Sequence, residues 1–304
     1  MPQTQPNFSI VDVFTDTRFL GNPVAVIHDA TGLSQDQMQA IAREFGFSET
    51  TFILPPEGPA YTARVRIFTP LQEIPFAGHP NIGTAFVIGT QTTAAAHFSK
   101  QEMVFDERGG DVAVRLMSQA DTVVGASISA PQSVDVLGTV PPETIARCLG
   151  LDPADVLSQS FAPCVASVGL PFAFAELASL DHLSAATPDQ AAFRAAATAG
   201  PQTVDEFAIC AFTVLDRTPE RLVIRSRVFC PLGHPPEDPA TGSASGALGA
   251  LFSPPEGAAT IRYDITQGVE MGRKSEIRVE LANRSEPPRI SGQCVLVATG
   301  QLHL

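Results

Sequence analysis

Two short stretches of the chain follow one plan: AGHPNIGTA at Ala77 to Ala85 and EDPATGSA at Glu237 to Ala244. Each places a titratable side chain beside a proline and then runs through Gly-Thr-Ala or Gly-Ser-Ala into small, almost chargeless residues at 86–89 and 245–252. This pattern predicts a loop that leads into a helix with apolar residues on every side, which must be buried. Because a helix N-terminus exposes unpaired N–H groups and a partial positive charge, two such ends that faced each other would bind an anion. We therefore predict two related halves around one cleft.

The composition is that of a folded, acidic protein. A length of 304 residues favours two domains, and the charged fraction of 17% is below the usual ~25%, so most of the chain is expected to be ordered. The formal net charge of −13 argues against a nucleic-acid or anionic-membrane partner, because such a surface could not neutralise a row of phosphates. A small-molecule partner fits better, and the anion site predicted above makes a small anionic substrate the expectation.

Cysteine usage indicates a reducing compartment. The cysteines are an odd number, are widely spaced and include no C-x-x-C pair: Cys148, Cys164, Cys210, Cys230 and Cys294. This pattern favours buried structural thiols over a disulfide framework or a zinc site. The first nine residues lack the order of a signal peptide, and no apolar run approaches the ~18 residues of a membrane span. We expect a soluble cytoplasmic protein.

Strand patterns outnumber helix patterns along the chain. Ser34 and Gln37 form a capping box before an amphipathic helix that Gly46 ends, and Gly109-Gly110 predicts a hairpin turn. Further predictions are strands at Phe8 to Phe14, Val24 to Ile27, Phe47 to Leu54, Tyr61 to Phe68, Asp121 to Ile128 and Val204 to Val214, a connector at Pro131 to Val140, and helical stretches at Pro142 to Leu149, Pro153 to Ser158 and Ala185 to Ala199. Because few helices separate consecutive strands, the sequence favours an α+β fold with mostly antiparallel sheets.

No cofactor is expected from the motifs. The chain has neither a G-x-G-x-x-G after a strand nor a phosphate-binding G-x-x-x-x-G-K-[ST] loop. Its six histidines show no paired helical spacing, which argues against a metal site. We therefore expect neither a cofactor nor a metal.

Glu49 is the sharpest candidate for chemistry. Strand alternation places it on the same face as the apolar residues Phe47 and Ile53. Burial on such a face raises a carboxyl pKa toward neutrality, as a general acid/base at neutral pH requires. The alternative is an ordinary glutamate on a solvated edge strand.

His79, Asp238 and Ser243 are further candidates, each with a structural alternative. A neutral His79 could exchange hydrogen bonds with substrate, and Asp238 could orient the imidazole or a substrate amine. Both could instead be loop caps, since Asp before Pro commonly begins a turn. Ser243 could be a hydrolase nucleophile, but it does not occupy the serine position of G-x-S-x-G, and a serine at a helix start is usually a hydrogen-bonding residue.

Taken together, these segments resemble the PhzF family, the phenazine-biosynthesis-like isomerases that share the diaminopimelate epimerase fold. The matching pieces are VDVFTD and FLGNPVAV in residues 11–26, residues 39–52 with Ser48-Glu49-Thr50, Phe68-Thr69-Pro70, Gly78-His79-Pro80, Glu237 to Ala244, Gln267-Gly268, Met271-Gly272-Arg273 and Ser291-Gly292-Gln293. They occur in the expected order nearly from end to end, and EDPATGS alone is specific enough to indicate the family.

The resemblance implies a fold, a division of the chain and an assembly. It implies two similar halves, each a mixed, mostly antiparallel sheet rolled around a central helix, with the active site in the cleft between them. We expect residues 1–118 plus 293–304 in the N-terminal half and 119–292 in the C-terminal half. Homodimers are usual among such proteins, so a homodimer is expected here.

The resemblance also implies roles for individual residues. Glu49 matches the acid/base glutamate of the family, and Ser48, His79, Asp238 and Ser243 match its supporting polar residues. The backbones of Gly78 and of Gly242-Ser243 are expected in the substrate-binding loops.

Related racemases and epimerases use two cysteines as acid and base. Here Ala77 precedes Gly78-His79 and the second loop has no cysteine, which favours a cofactor-independent isomerase with one base. The other interpretation is a ligand-binding or interaction protein that kept the fold without turnover. Phe45 to Phe47 and His234 depart from the usual pattern of the family. These departures affect the expected substrate more than the expected reaction.

Overall fold

The structure, a computed structural model, describes residues 5–91, 102–233, 235–252 and 260–304, so His234 lies outside the described residues. The chain divides into unit 1, Met1–Ser129 with Ser291–Leu304, and unit 2, Ala130–Ile290. The division follows Ser129 and differs from the predicted position after Ser118. The physical reason is that the strand containing Ser118 forms one antiparallel hairpin with residues 122–129.

Unit 1 contains two helices and nine strands among its described residues. The helices are α1 (Gln35–Phe45) and α2 (Gly78–Gln91), and the strands are β1 (Asn7–Val13), β2 (Asn22–Ile27), β3 (Glu49–Leu54), β4 (Ala63–Phe68), β5 (Glu73–Ile74), β6 (Glu102–Glu107), β7 (Gly110–Gln119), β8 (Thr122–Ser129) and β18 (Arg289–Gln301). Strand β18 begins within unit 2 and continues through unit 1.

The strand pairings of unit 1 close into a ring. Strand β1 pairs antiparallel with both β2 and β18, and β8 also pairs with β18. Between them β3–β4, β6–β7 and β7–β8 are antiparallel, while β2–β3 and β4–β6 are parallel. The C-terminal strand therefore supplies the pairing that completes the ring.

Helix α2 is the buried helix predicted from its chargeless sequence. It packs against β1, β2, β3, β7 and β8, and its first ten residues are all buried. A Cβ on Gly83 would lie 2.5 Å from a methyl group of Val24 and 3.0 Å from one of Val13. Glycine at this position is what allows α2 to lie so close to β1 and β2.

Helix α1 covers one side of the sheet and confirms the capping-box prediction. The Ser34 side chain accepts from the Gln37 N–H and the Gln37 side chain accepts from the Ser34 N–H, while Gly46 ends the helix at φ 65°. The ring of Phe45 packs edge-on against Phe8 and lies beside that of Phe47. Phe45 and Phe47, which depart from the usual pattern of the family, therefore pack in and beside α1.

Unit 2 has four helices and nine strands among its described residues, if the short β10 and β15 are included. The helices are α3 (Pro142–Leu149), α4 (Leu180–Ala185), α5 (Gln190–Ala199) and α6 (Gly242–Leu251), and the strands are β9 (Asp135–Thr139), β10 (Val156–Leu157), β11 (Cys164–Ser167), β12 (Pro171–Leu177), β13 (Ile209–Arg217), β14 (Arg221–Phe229), β15 (Glu237–Asp238), β16 (Ile261–Gln267) and β17 (Ser275–Leu281). Helix α6 packs against β11, β12 and β17, and its first nine residues are buried.

Several predictions in unit 2 were wrong in detail. The connector at 131–140 contains β9, which pairs with β11, and the helical stretch at 153–158 is a single 3₁₀ turn before β10. The helix predicted at 185–199 begins only at Gln190, because the Asp189 side chain accepts from the N–H groups of Ala191 and Ala192 and so caps α5 there. Local patterns missed these features because sheet pairing and one cap decide them.

Both units repeat one order of elements. The parallel pair β2–β3 corresponds to β12–β13, the antiparallel pair β3–β4 to β13–β14, and the short strand β5 to β15. The buried helix then follows, and the next strand pairs in parallel as β4–β6 or β14–β16. This order confirms the predicted α+β fold with two similar halves. Within the described residues, no helix is long and apolar enough to cross a membrane.

Candidate active site

In unit 1, the structure brings Glu49 and His79 together. Glu49 is the first residue of β3, and His79 is the second residue of α2. The Nε2 atom of His79 lies 3.6 Å from Oε2 of Glu49, and the two side chains are 5% and 17% exposed, respectively. A carboxyl group and an imidazole therefore meet at a site largely shielded from water.

His79 is a neutral imidazole at physiological pH. Burial lowers the pKa of His79 to about 3, and a hydrogen bond to the Pro23 backbone only partly opposes this effect. The contact with Glu49 is therefore not an ion pair, although the two atoms lie within ion-pair distance. A neutral neighbour does not stabilise the anionic form of Glu49 as a cation would.

Asn22 links His79 to the predicted substrate-binding residue Ser48. The Asn22 amide lies 3.4 Å from His79 Nδ1, and the Ser48 hydroxyl donates to Asn22 Oδ1 at 3.3 Å. Asn22 is buried at the start of β2. The motifs alone did not single out Asn22 as a site residue, although its place between Gly21 and Pro23 in FLGNPVAV was the available signal.

The turn before Asn22 requires glycine. Gly21 has φ 69°, and a Cβ there would lie 2.3 Å from the Val13 carbonyl oxygen. The turn brings β2 back along β1, so that Asn22 faces Val13. Gly21 thus places the Asn22 side chain next to the first turn of α2.

In unit 2, Asp238 belongs to a separate hydrogen-bonded loop. The Thr241 hydroxyl donates to Asp238 Oδ2 at 2.6 Å, and Gln267 Nε2 donates to the Asp238 carbonyl at 2.7 Å. Gln267 also accepts from the Thr241 N–H at 3.2 Å. The buried Gln267 side chain therefore holds the loop at both of its ends.

The short strand β15 and the helix that follows it place the remaining predicted residues. Gly242 and Ser243 are the first two residues of α6, with Thr241 at its N-cap, so their N–H groups lie in the turn where helix donors are unpaired. Gly78 and His79 hold the same two positions in α2. Ser243 is therefore the positional counterpart of His79, whereas Asp238 lies in β15 ahead of the helix.

An arginine–glutamate pair that the motifs did not reveal joins β4 to β5 and, again, β14 to β15. Arg66 binds Glu73 through two hydrogen bonds of 2.7 and 2.8 Å, and Arg227 binds Glu237 through two of 2.9 Å. Each guanidinium also lies over the phenylalanine two residues later, and those rings face the glutamates across β4–β5 and β14–β15. The signal was the repeated R-x-F-x-P-L at residues 66–71 and 227–232.

The cysteine thiols differ chemically from these groups. All five are free and buried, which confirms the prediction of structural thiols. Burial raises the pKa of Cys148 to about 12 and that of Cys164 to about 11, and it raises those of the other three as well. Thiols in this state are poor nucleophiles and poor bases at neutral pH.

Comparison with known proteins identifies the family. A family model described as phenazine biosynthesis-like protein matches residues 11–300. The trans-2,3-dihydro-3-hydroxyanthranilate isomerase of Pseudomonas fluorescens is 36% identical over 309 residues, which cover 98% of this chain and 99% of that protein.

Solved structures show the fold. A Bacillus anthracis phenazine biosynthesis protein of the PhzF family matches with a TM-score of 0.82 at 21% identity, covering 99% of this chain and 100% of the other. A hydroxyproline epimerase from Agrobacterium vitis matches with a TM-score of 0.60 at 13% identity, covering 100% and 94%. These likenesses confirm the diaminopimelate epimerase-like fold that the motifs implied. Since the family model and a relative of more than one-third identity both extend over nearly the whole chain, the chain belongs to the phenazine biosynthesis-like PhzF family and is an isomerase.

Proposed function

We propose that the protein is a cofactor-independent isomerase that moves a proton on a small carboxylate-bearing substrate, with Glu49 as base and then acid. The observation that carries this proposal is the contact between Glu49 and the neutral His79 in a shielded site. A carboxylate in such surroundings can take a proton from carbon, whereas one paired with a cation has less tendency to do so.

One carboxyl group is sufficient for the whole reaction. Glu49 removes a proton from one carbon, the electron pair of that C–H bond forms a new double bond to the adjacent carbon, and the electron pair of the existing double bond moves to the far carbon. The protonated Glu49 then returns a proton to the far carbon, so that the double bond shifts and no atom is gained or lost. His79 and Ser48 hold polar groups of the substrate in place during the transfer.

The relatives and the loop of unit 2 support this substrate class. Because a full-length relative is named for trans-2,3-dihydro-3-hydroxyanthranilate, this amino-bearing carboxylate is the first substrate to test. Asp238 would orient a substrate amine, and the N–H groups at Gly242 and Ser243 would bind the carboxylate.

The test of Glu49 is the variant Glu49→Gln, which keeps the shape and hydrogen bonding but cannot accept a proton. We expect substrate binding to survive while kcat falls by ~10²–10⁴, the range for a lost general base. In D₂O the wild type should place deuterium at the new C–H position, diluted by any proton that Glu49 carries over. Glu44→Gln on the exposed face of α1 is the control. Near-wild-type turnover by Glu49→Gln would refute the mechanism.

The loop of unit 2 has a test of its own. Asp238→Asn keeps the size of the side chain and removes its charge. If Asp238 orients a substrate amine, KM for the amino-bearing substrate should rise by ~10-fold or more, because a charge-assisted hydrogen bond is lost. An unchanged KM with an unchanged kcat would remove Asp238 from the proposed site and leave the role of Glu49 standing.

A further inference from the structure

A second carboxyl group of unit 1, Glu107 at the end of β6, is buried without an evident counterpart. Its side chain is 6% exposed. Among the described residues, no hydrogen bond of ordinary length and angle reaches either carboxyl oxygen. Buried carboxyl groups are normally paired with a cation or hydrogen-bonded, so this one requires an explanation.

The group beside Glu107 is the amide of Asn81, in the first turn of α2. Asn81 is fully buried, and its Nδ2 donates to the Ala77 carbonyl at 3.0 Å, which fixes the orientation of the amide. Its Oδ1 is then left as a buried acceptor without a donor among the described residues. A carboxylic acid and a primary amide can form two hydrogen bonds, acid O–H to amide oxygen and amide N–H to acid oxygen.

The protonation state of Glu107 agrees with such a pair. Burial raises the pKa of Glu107 to about 8; the Asn81 amide lowers it and the Asp106 charge raises it, both to a smaller extent. The acid form therefore prevails at neutral pH. Only the acid form has an O–H group that can donate a hydrogen bond to Asn81 Oδ1.

Most of the other charged groups near Glu107 form ion pairs with one another. They line a cavity of about 530 Å³ together with it: Glu57, Arg64, Arg66, Glu73, Asp106 and Arg108. Arg64 binds Glu57, Arg66 binds Glu73, and Arg108 lies 3.9 Å from Glu73. On the side of α2 the titratable group nearby in sequence is His79, which is neutral. The cavity thus offers Glu107 no ion pair among the described residues.

We propose that Glu107, in its acid form, is a positioning residue that acts through Asn81 and the Ala77 carbonyl to hold His79 opposite Glu49. Ala77 directly precedes α2, and His79 is the second residue of that helix. The pair therefore fixes the turn that carries the imidazole. Ionisation of Glu107 removes the donor to Asn81 and places a charge beside its amide oxygen, so the turn loosens as the pH rises. The kinetic part of this proposal rests on the proposed function.

The kinetic test compares Glu107→Gln with the wild type between pH 6 and pH 10, with trans-2,3-dihydro-3-hydroxyanthranilate as substrate. The wild-type kcat should fall on the alkaline side with a midpoint near the pKa of Glu107, about 8. Glu107→Gln, which keeps a neutral donor at every pH, should retain most of the rate and lose that alkaline fall. Glu107→Ala should lose ~10- to ~100-fold at every pH, as a misplaced catalytic group does.

Glu102→Gln on the same strand is the matched control, because Glu102 is exposed and binds Arg115. It should reproduce the wild-type pH profile. The same alkaline fall in wild type and Glu107→Gln would overturn the proposal, because the fall would then come from the ionisation of another group.

A measurement without substrate separates this inference from the proposed function. In protein with isotope-labelled histidine, the His79 ring signals, assigned by their loss in His79→Gln, should shift with a midpoint near the pKa of Glu107, about 8. The shift should vanish in Glu107→Gln and in Asn81→Ala. If it is present while the wild type turns over no substrate, the proposed function fails and the positioning role stands. If the ring signals do not respond in the wild type, the positioning role fails whatever the activity.

Discussion

Among single residues, burial determines which titratable side chains of the site carry a charge. His79 and Glu107 lie at opposite ends of this effect: burial makes the imidazole hard to protonate and the carboxyl hard to ionise. Both groups are therefore neutral between about pH 5 and pH 7. Glu49, which is 17% exposed, is the carboxyl group that we propose exchanges a proton with the substrate.

The neutral His79 predicts a slope of stability with pH. Its folded-state pKa of about 3 lies below the ordinary value of 6.5, so between these values the unfolded chain binds more protons than the folded one. The unfolding free energy should therefore fall as the pH drops below 6.5, by up to about 1.4 kcal/mol per pH unit from this residue. His79→Gln should reduce the slope by that amount in urea titrations from pH 4 to pH 7. His303→Gln, at an exposed position, is the control, and an unchanged slope in His79→Gln would show that the imidazole can be protonated in place.

Glu107 predicts a slope of the opposite sign. Its folded-state pKa of about 8 lies above the ordinary 4.5, so the folded chain holds a proton that the unfolded chain releases in this range. Stability contributed by the acid form is complete below pH 4.5 and is lost as the pH rises through about 8. Glu107→Gln should thus be more stable than the wild type near pH 8, by about 2 kcal/mol or more, and show little gain near pH 4.5. Equal stability differences at both pH values would contradict the buried acid.

At the scale of elements, each buried helix is preceded by a loop that the rest of its unit holds in place. In unit 2, Gln267 binds the Asp238 loop, and Gly268 follows at φ 74°. A Cβ on Gly268 would lie 2.5 Å from the Pro239 carbonyl oxygen and 2.6 Å from that of Arg273. The loop therefore needs glycine for both conformation and space.

Gly268→Ala should destabilise the protein by roughly 3 kcal/mol or more, because backbone oxygens cannot move aside cheaply. Gly272→Ala is a matched control: Gly272 has φ 71°, but open space surrounds its Cβ position, so it should cost only about 1 kcal/mol. Urea unfolding of both variants measures the difference. Similar losses would mean that the close approach at Gly268 does not constrain the loop.

At the scale of the whole molecule, the last strand completes the ring of unit 1. Strand β18 pairs with β1 along its length, the Gln293 carbonyl accepts from the Thr15 N–H, and the Leu296 carbonyl accepts from Arg18. Folding of the first residues of the chain therefore depends on the last ones. Contacts of such long sequence separation form late and cooperatively.

A chain that ends after Ile290 should leave β1 without its outer partner. We expect its β1 amides to lose protection from hydrogen exchange and the cooperative unfolding of unit 1 to disappear. A chain that ends after Gln301 keeps every paired residue of β18 and should remain cooperative, with a loss of about 1–2 kcal/mol from the missing apolar packing. Protected β1 amides in the shorter chain would show that the ring does not need its last strand.

Much of this organisation can be predicted from local sequence, because it depends on interactions between residues that are close together in the chain. The capping box at Ser34, the stop at Gly46 and the two helices without charged residues are set by hydrogen bonds and apolarity within a few residues. The motifs around Glu49, His79 and Asp238 likewise indicated the family and the candidate site. The halves could be recognised as related because their loops and helices repeat one pattern.

What the sequence alone determined is thus the two buried helices, the capped α1 and the family with its candidate glutamate. Tertiary packing sets the division after Ser129, the start of α5 at Gln190, the repeated Arg–Glu pairs and the burial that keeps His79 neutral. Glu107 is the clearest case: in sequence it is one acidic residue beside Asp106 and Arg108, and nothing local marks it as a neutral acid. Its state depends on desolvation by elements distant in sequence, and desolvation exists only once those elements have packed.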